Sequence, residues 1–390
     1  MEIMEFRQAM IECAIKGYDA QGFHFIDGCA QTLSALGGDD MGIVYFATMI
    51  HSIFGMDALA SAQAFIFSLL VVALLIGLMG ALMAFRETAQ RIFVTLGFGL
   101  LALVAFATHA GVYAVSSALA IMTIPWLVAL HQSISTHRNQ YLFAGLFLVG
   151  FLLAFADFVR AYAGLPVLFF VVTLLLSSKW PRHRTRVIAV IFLIIGTAGP
   201  ITYFESLFQD RDAFLIQQNP EYTPPLKRHL FWHTAYIGLG YTTNDFGVVW
   251  SDSHAFKALE ARAPGTPQLS VESELVHKQL FFETVIEHPV FAIMNVAAKA
   301  GVLGFMIVLF ANVGLLVRTG RGLDPPLRGA FLAAAVISSS YGFLAIPSIN
   351  YTTQLVAIAA LYGIFSVAAA IPHGIRSSLW IPLGRQNRTD

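Results

Sequence analysis

Long apolar runs alternate with short polar interruptions along this chain. Predominantly apolar stretches occupy 63–85, 92–106, 111–131, 141–157, 164–178, 187–204, 289–317, 329–346 and 351–371. A helix rises about 1.5 Å per residue, so roughly 20 such residues cross a hydrocarbon layer about 30 Å thick. The runs therefore predict about nine transmembrane helices. Residues 1–18 follow another pattern. Ile3, Phe6, Met10, Ile11 and Ala14 share one helical face, opposite Glu5, Gln8, Glu12 and Lys16, which predicts an amphipathic interfacial helix rather than a span. The stretch 41–56 is apolar but short and interrupted by His51, and reads as a juxtamembrane helix.

Composition agrees with the pattern. Hydrophobic residues are 57% of the 390 positions, charged ones 12%, and the mean hydropathy is +0.70; soluble domains run near a quarter charged. The fold class is an all-α integral membrane protein. No basic run with interleaved aromatics is present, so nucleic acid is not an expected partner. Residues 1–20 carry Glu2, Glu5 and Glu12 and no continuous apolar core, unlike a signal peptide. Cys13 and Cys29 leave two arrangements open, a pair of free thiols or one bridge, and free thiols are the favoured expectation.

The formal net charge is zero, but the charges are sorted. Alternate short loops carry Arg86 and Arg91; Arg138; Lys179, Arg182, Arg184 and Arg186; and Arg318, Arg321 and Arg328, with Arg376, Arg385 and Arg388 in the tail. The other short loops hold only Arg160. By the bias of basic residues toward the cytoplasm, the first set and the C-terminus are cytoplasmic, and the location is the cytoplasmic membrane. Residues 1–62 and the loop 205–288 then lie outside, where most acids are found. The chain divides into an outer juxtamembrane region 1–62, six spans in 63–204, a folded outer loop 205–288, three spans in 289–371 and a tail 372–390, together one membrane domain. An outer N-terminus with no preceding span predicts a further apolar segment upstream of Met1, the alternative being unusual insertion of residues 1–18.

Among the outer acids, Asp19, Asp27, Asp39 and Asp40 gather within one short stretch. One of Asp39 and Asp40 is explained by capping the helix that follows; the pair, with Asp19 close by, suits a general base acting on a hydroxyl or a divalent-cation site. His229 and His233, four residues apart, with Asp245, Asp252 or His254, form a weaker zinc candidate without an HExxH pattern. Trp232, Trp250 and Tyr236 suit stacking on a sugar, or an interfacial aromatic belt.

Several stretches carry a resemblance: Asp19 with Phe23 four positions on; Asp39–Asp40 before Met41–Gly42 and Tyr45–Phe46; residues 51–64; Arg160 ahead of Leu165–Pro166; 228–247; and 282–291. In this order and sidedness they resemble GT-C class membrane glycosyltransferases, such as aminoarabinose and protein mannosyltransferases. Ala20 follows Asp19 where the family often has Glu, and the family's Pro-Pro and Lys are absent. The resemblance implies sugar transfer from a polyprenyl-phosphate donor to a glycan, lipid or protein acceptor at the outer membrane face. It makes Asp19 the first choice for the base, with Asp39 or Asp40 as acceptor-positioning groups or alternative bases. It also makes Tyr45 and Trp232 substrate contacts. Such a transfer releases a phosphate, a weak base, so it needs positive charge on the phosphate rather than a protonated acid. Arg160, Lys299 and Arg228 with Lys227 are the candidates, and no cofactor is implied. Each has an ordinary reading as well: an i,i+3 pair of Arg160 with Asp157, a snorkelling Lys299 and solvated charge at 227–228. Two rival functions fit the pattern, a flippase or transporter of lipid-linked precursors and a non-catalytic, N-terminally shortened relative.

Overall fold

A computed structural model of the protein describes residues 2–16, 18–19, 22–23, 41–108, 111–133, 139–176, 183–220, 230–317 and 322–372. Within them, helices account for nearly every element: α1 Glu2–Lys16, α2 Met41–Phe54, α3 Ala58–Ala84, α4 Thr88–Ala107, α5 Ala114–Ser133, α6 Asn139–Val159, α7 Leu165–Leu176, α8 His183–Gln218, α9 Phe231–Gly238, α10 Asp252–Arg262, α11 Val271–Glu287, α12 Pro289–Ala311, α13 Pro325–Leu344 and α14 Ile349–Ala370. The exception is a short antiparallel pair, β1 Tyr18–Asp19 and β2 Gly22–Phe23. Eight helical segments among the described residues are long and apolar enough to cross a membrane: α3, α4, α5, α6, α8, α12, α13 and α14, several with flanking turns. The protein is a multi-pass helical membrane protein. The run 164–178 gives the shorter helix α7, whose described length is 12 residues.

Two spans, α5 and α14, sit at the centre of the bundle. The apolar window of α5 is 89% buried, against 17% for α12, so α12 is at the rim. Without a hydrophobic drive between helices in lipid, close backbone approach is what joins them. Gly150 of α6 and Gly196 of α8 each face the backbone of the opposite helix, Leu193 and Phe147 respectively. The α3–α5 contact is likewise closed at Gly77 and Gly80, and the Trp126 indole donates to Ile76 O at 2.9 Å. Elsewhere in the bundle α7 meets α13 through edge-on Phe170 and Phe331 rings, both buried.

Three findings depart from the sequence reading or refine it. The span expected to end at 204 continues as helix to Gln218. Its extension carries Arg211, fully buried, bonded to Asp212 at 2.6 and 3.0 Å and lying over the Phe208 ring; tertiary burial sustains a helix that hydropathy alone would end. Residues 230–288 fold into α9–α11 around a small core of Tyr236, Ile237, Leu239, Val248 and Ala255, separate from the bundle core. Cys13 is disulfide-bonded, which reverses the expectation of free thiols in a chain with only two cysteines. Helix α1, expected as an interfacial helix, turns Met10, Ile11 and Ala14 of its apolar face into the bundle core.

Candidate functional site

Antiparallel spans bring alternate loops to the same end of a bundle. The turn before α5, the turn after α6, the start of α9 and the α13–α14 connection meet there and line a cavity that opens to solvent. The loops of the opposite, basic set join elsewhere: His131, near the end of α5, bonds Asp324, the N-cap of α13, at 2.9 Å.

Arg160 lines the cavity and is 8% exposed. Its guanidinium lies over the Tyr113 ring, 4.6 Å from the centroid. The turn that carries it is fastened from several sides. Tyr162, at φ +65°, has its N–H donated to Asp157 Oδ1 at 2.7 Å. Its carbonyl accepts from Tyr341 Oη of α13 at 2.6 Å. The Ala163 carbonyl accepts from Gln354 Nε2 of α14 at 3.0 Å. Because that carbonyl fixes which end of the amide is the donor, Gln354 Oε1 is turned the other way, buried and without a hydrogen-bond partner among the described residues. Thr353 bonds the Tyr113 carbonyl at 3.2 Å, and the Tyr113 and Tyr351 rings meet at 5.1 Å. The cavity wall thus holds a buried guanidinium, tyrosine hydroxyls, the amides of Asn350 and Gln354 and the hydroxyl side chains of Ser116, Thr234 and Thr353 among apolar side chains. The guanidinium and hydroxyls offer donors to an anion, with the Asp157 carboxylate on the same turn.

The other sequence-predicted residues are scattered around this point. Lys299 does not line the cavity; its ammonium donates to Phe343 O at 2.9 Å and Ala345 O at 2.7 Å, at the C-terminus of α13. It therefore stands behind the cavity wall formed by Leu344 and Ala345. Tyr45 of α2 meets Tyr203 of α8, hydroxyl to hydroxyl, at 2.8 Å. Trp232 neighbours the cavity-lining Phe231 but faces Phe281, Phe282 and Lys278. Asp19 is placed by its backbone alone, paired with Gly22. Asp39, Asp40, Lys227, Arg228 and His229 lie outside the described residues. The first described residues after the acid pair are placed: a Cβ on Gly42 would come within 2.6 Å of Val159 Cα, so the start of α2 is pressed against the residue preceding Arg160. Tyr113, Tyr341, Tyr351 and Gln354 escaped the sequence reading. The available signal was their position at span ends on the side of Arg160.

The described histidines of the zinc candidate, His233 and His254, serve the α9–α11 unit, as does His277 from outside that candidate. His233 Nε2 bonds Asp252 Oδ1 at 2.9 Å, and His277 bonds the Ala255 carbonyl at 3.2 Å. Both oxygens of Glu274 accept from the backbone N–H groups of Trp232 and His233 at 2.8 Å, occupying the N-terminus of α9. Among the described residues, no group of three or more His, Cys, Asp and Glu side chains is placed to hold a metal ion. Burial holds the His277 imidazole below its ordinary value, and burial with the Lys257 charge does the same for His254. Below about pH 6.5 the unfolded chain then binds protons that the folded unit refuses. Stability contributed by neutral His277 and His254 is complete above that pH and is lost as pH falls toward their lower folded values. Hydrogen-exchange protection of 252–287, expressed as opening free energy, is expected to drop between pH 7 and pH 5; equal values at both would remove the burial argument.

Compared with known protein families, curated proteins and solved structures, the chain matches none.

Proposed function

We propose that the protein is a glycosyltransferase of GT-C type, moving a sugar from a polyprenyl-phosphate donor to an acceptor hydroxyl at the outer face of the cytoplasmic membrane. The observation that carries this reading is Arg160, a buried guanidinium in a cavity where the loops of one alternating set meet at the end of an apolar bundle. A polyprenyl-phosphate sugar joins a hydrocarbon tail, an anionic head and hydroxyls, and the spans, Arg160 and the tyrosine and amide groups answer these in turn.

In this reading the acceptor oxygen attacks the anomeric carbon while a carboxylate takes its proton. The bond from that carbon to the phosphate oxygen breaks, and polyprenyl phosphate leaves with the bonding pair, its charge met by Arg160. Asp19, Asp39 and Asp40 are the candidate bases. The packing of Gly42 on Val159 favours the pair, because it brings the chain that follows Asp40 to the residue beside Arg160. Arg228 is a second phosphate candidate, Tyr45 and Trp232 are sugar contacts, and Lys299 acts from behind the wall. The outer placement is supported by the bonded Cys13, since disulfides persist in oxidising compartments.

The test is consumption of a labelled polyprenyl-phosphate sugar by purified protein in vesicles. Wild-type protein is expected to turn it over, and Asn substitution at the true base among Asp19, Asp39 and Asp40 is expected to cost about 10²–10⁴-fold. Full turnover in all three variants removes these bases; no consumption by the wild type against a panel of sugars and acceptors removes the enzyme.

A further inference from the structure

Helix α11 is divided lengthwise into arcs of different chemistry. At about 100° per residue, Ser273, His277 and Phe281 turn inward, toward α9 and α10, and the first two are buried. Glu272, Glu283 and Glu287 fall together on an outward arc, where Glu283 meets Arg262 at 2.7 Å. A third arc, about 80° wide, holds Val271, Leu275, Lys278, Phe282 and Ile286, with Glu274 and Val285 beside it on the side of α9, and its four apolar members are 55%, 60%, 43% and 73% exposed. An apolar stripe this long on a helix outside the spans needs a covering partner.

Continuity names that partner. A single non-helical residue, His288 at φ −129° and ψ 61°, separates α11 from the span α12. That span opens with Val290 and Ile293, exposed like the stripe. The one charge in the arc is Lys278, whose ammonium lies 5.5 Å from the centre of the Trp232 ring; a lysine and a tryptophan beside aliphatic side chains suit the headgroup level. We infer that α11 is an interfacial helix whose apolar arc lies at the acyl–headgroup boundary, so that the partner of this face is the bilayer. The acidic arc is left to water. The inference does not depend on the glycosyltransferase reading. It has one consequence for the cavity: Phe282 meets Trp232 at 5.4 Å and Trp232 meets Phe231 at 4.9 Å, and Phe231 lines the cavity. The lipid-facing arc therefore reaches the cavity mouth, and a tailed ligand can approach from the side.

Spin labelling tests this on the full chain. Single cysteines at Leu275, Phe282 and Ile286, and at Glu272 and Glu287, would be labelled without reducing the Cys13 bridge and reconstituted in phosphatidylethanolamine–phosphatidylglycerol vesicles. Labels at 275, 282 and 286 are expected to collide more with oxygen than with a water-soluble nickel chelate, and labels at 272 and 287 to show the reverse. Nickel-dominated collisions at all five sites would overturn the inference by placing the stripe in water. Labels at 275, 282 and 286 shielded from both quenchers would also overturn it, by showing a second copy of the chain on this face.

Discussion

Arg160→Ala is expected to weaken binding of a polyprenyl-phosphate sugar by roughly 10- to 100-fold, the equivalent of about 1.5–3 kcal/mol for a hydrogen bond to a charged group. The expectation follows from where the guanidinium is held. It lies over Tyr113 in a cavity wall, on a turn fixed by Tyr341, Gln354 and Asp157. The alanine variant keeps those backbone contacts, so the turn survives without its charge. Arg160→Lys restores charge but not the planar fork, and is expected to recover only part of the affinity. Calorimetry or flotation with a labelled donor, beside a thermal-unfolding check, separates the possibilities. A lower midpoint with unchanged donor affinity would confine Arg160 to holding its turn.

Eight of the nine expected spans are long apolar helices among the described residues, because length and apolarity suffice to set them, and the amphipathic face of residues 1–18 foretold which side of α1 is buried. The extension of α8 was not legible. Asp210, Arg211 and Asp212 fall past the apolar run, in the stretch read as outer loop, and only a tertiary neighbourhood makes Arg211 one of the largest fully buried side chains. The cavity was half legible. Arg160 stood out as the lone base among its short loops, whereas Tyr113, Tyr351 and Gln354 each pass for ordinary span-end residues. Their meaning comes from a contact such as Thr353 with the Tyr113 carbonyl, 240 residues apart in sequence. Lys299 shows the same limit. Charge in an apolar run signals a task, but the sequence offered a ligand or the headgroups as its partner, while the folded chain supplies carbonyls of a neighbouring helix.

Lys299→Met therefore tests an effect that travels through the wall. The last carbonyls of a helix have no intrahelical donor, and Lys299 serves Phe343 and Ala345 at the end of α13. Removing the ammonium leaves both acceptors short of a donor, at about 1–3 kcal/mol for each buried group. Relief of the buried charge's own desolvation works the other way, so a net loss of about 1–3 kcal/mol is expected, seen as a lowered unfolding midpoint. The same helix end carries Tyr341, whose hydroxyl holds the Arg160 turn, and its backbone carbonyl accepts from Ala345 N at 2.9 Å. Loosening residues 343–345 is thus expected to lower donor affinity as well, although Lys299 touches no part of the cavity. Lys299→Gln, which keeps a shorter donor, should fall between the two. If the methionine variant unfolds at the wild-type midpoint and binds donor equally well, the lysine–carbonyl contacts neither hold the helix end nor shape the cavity.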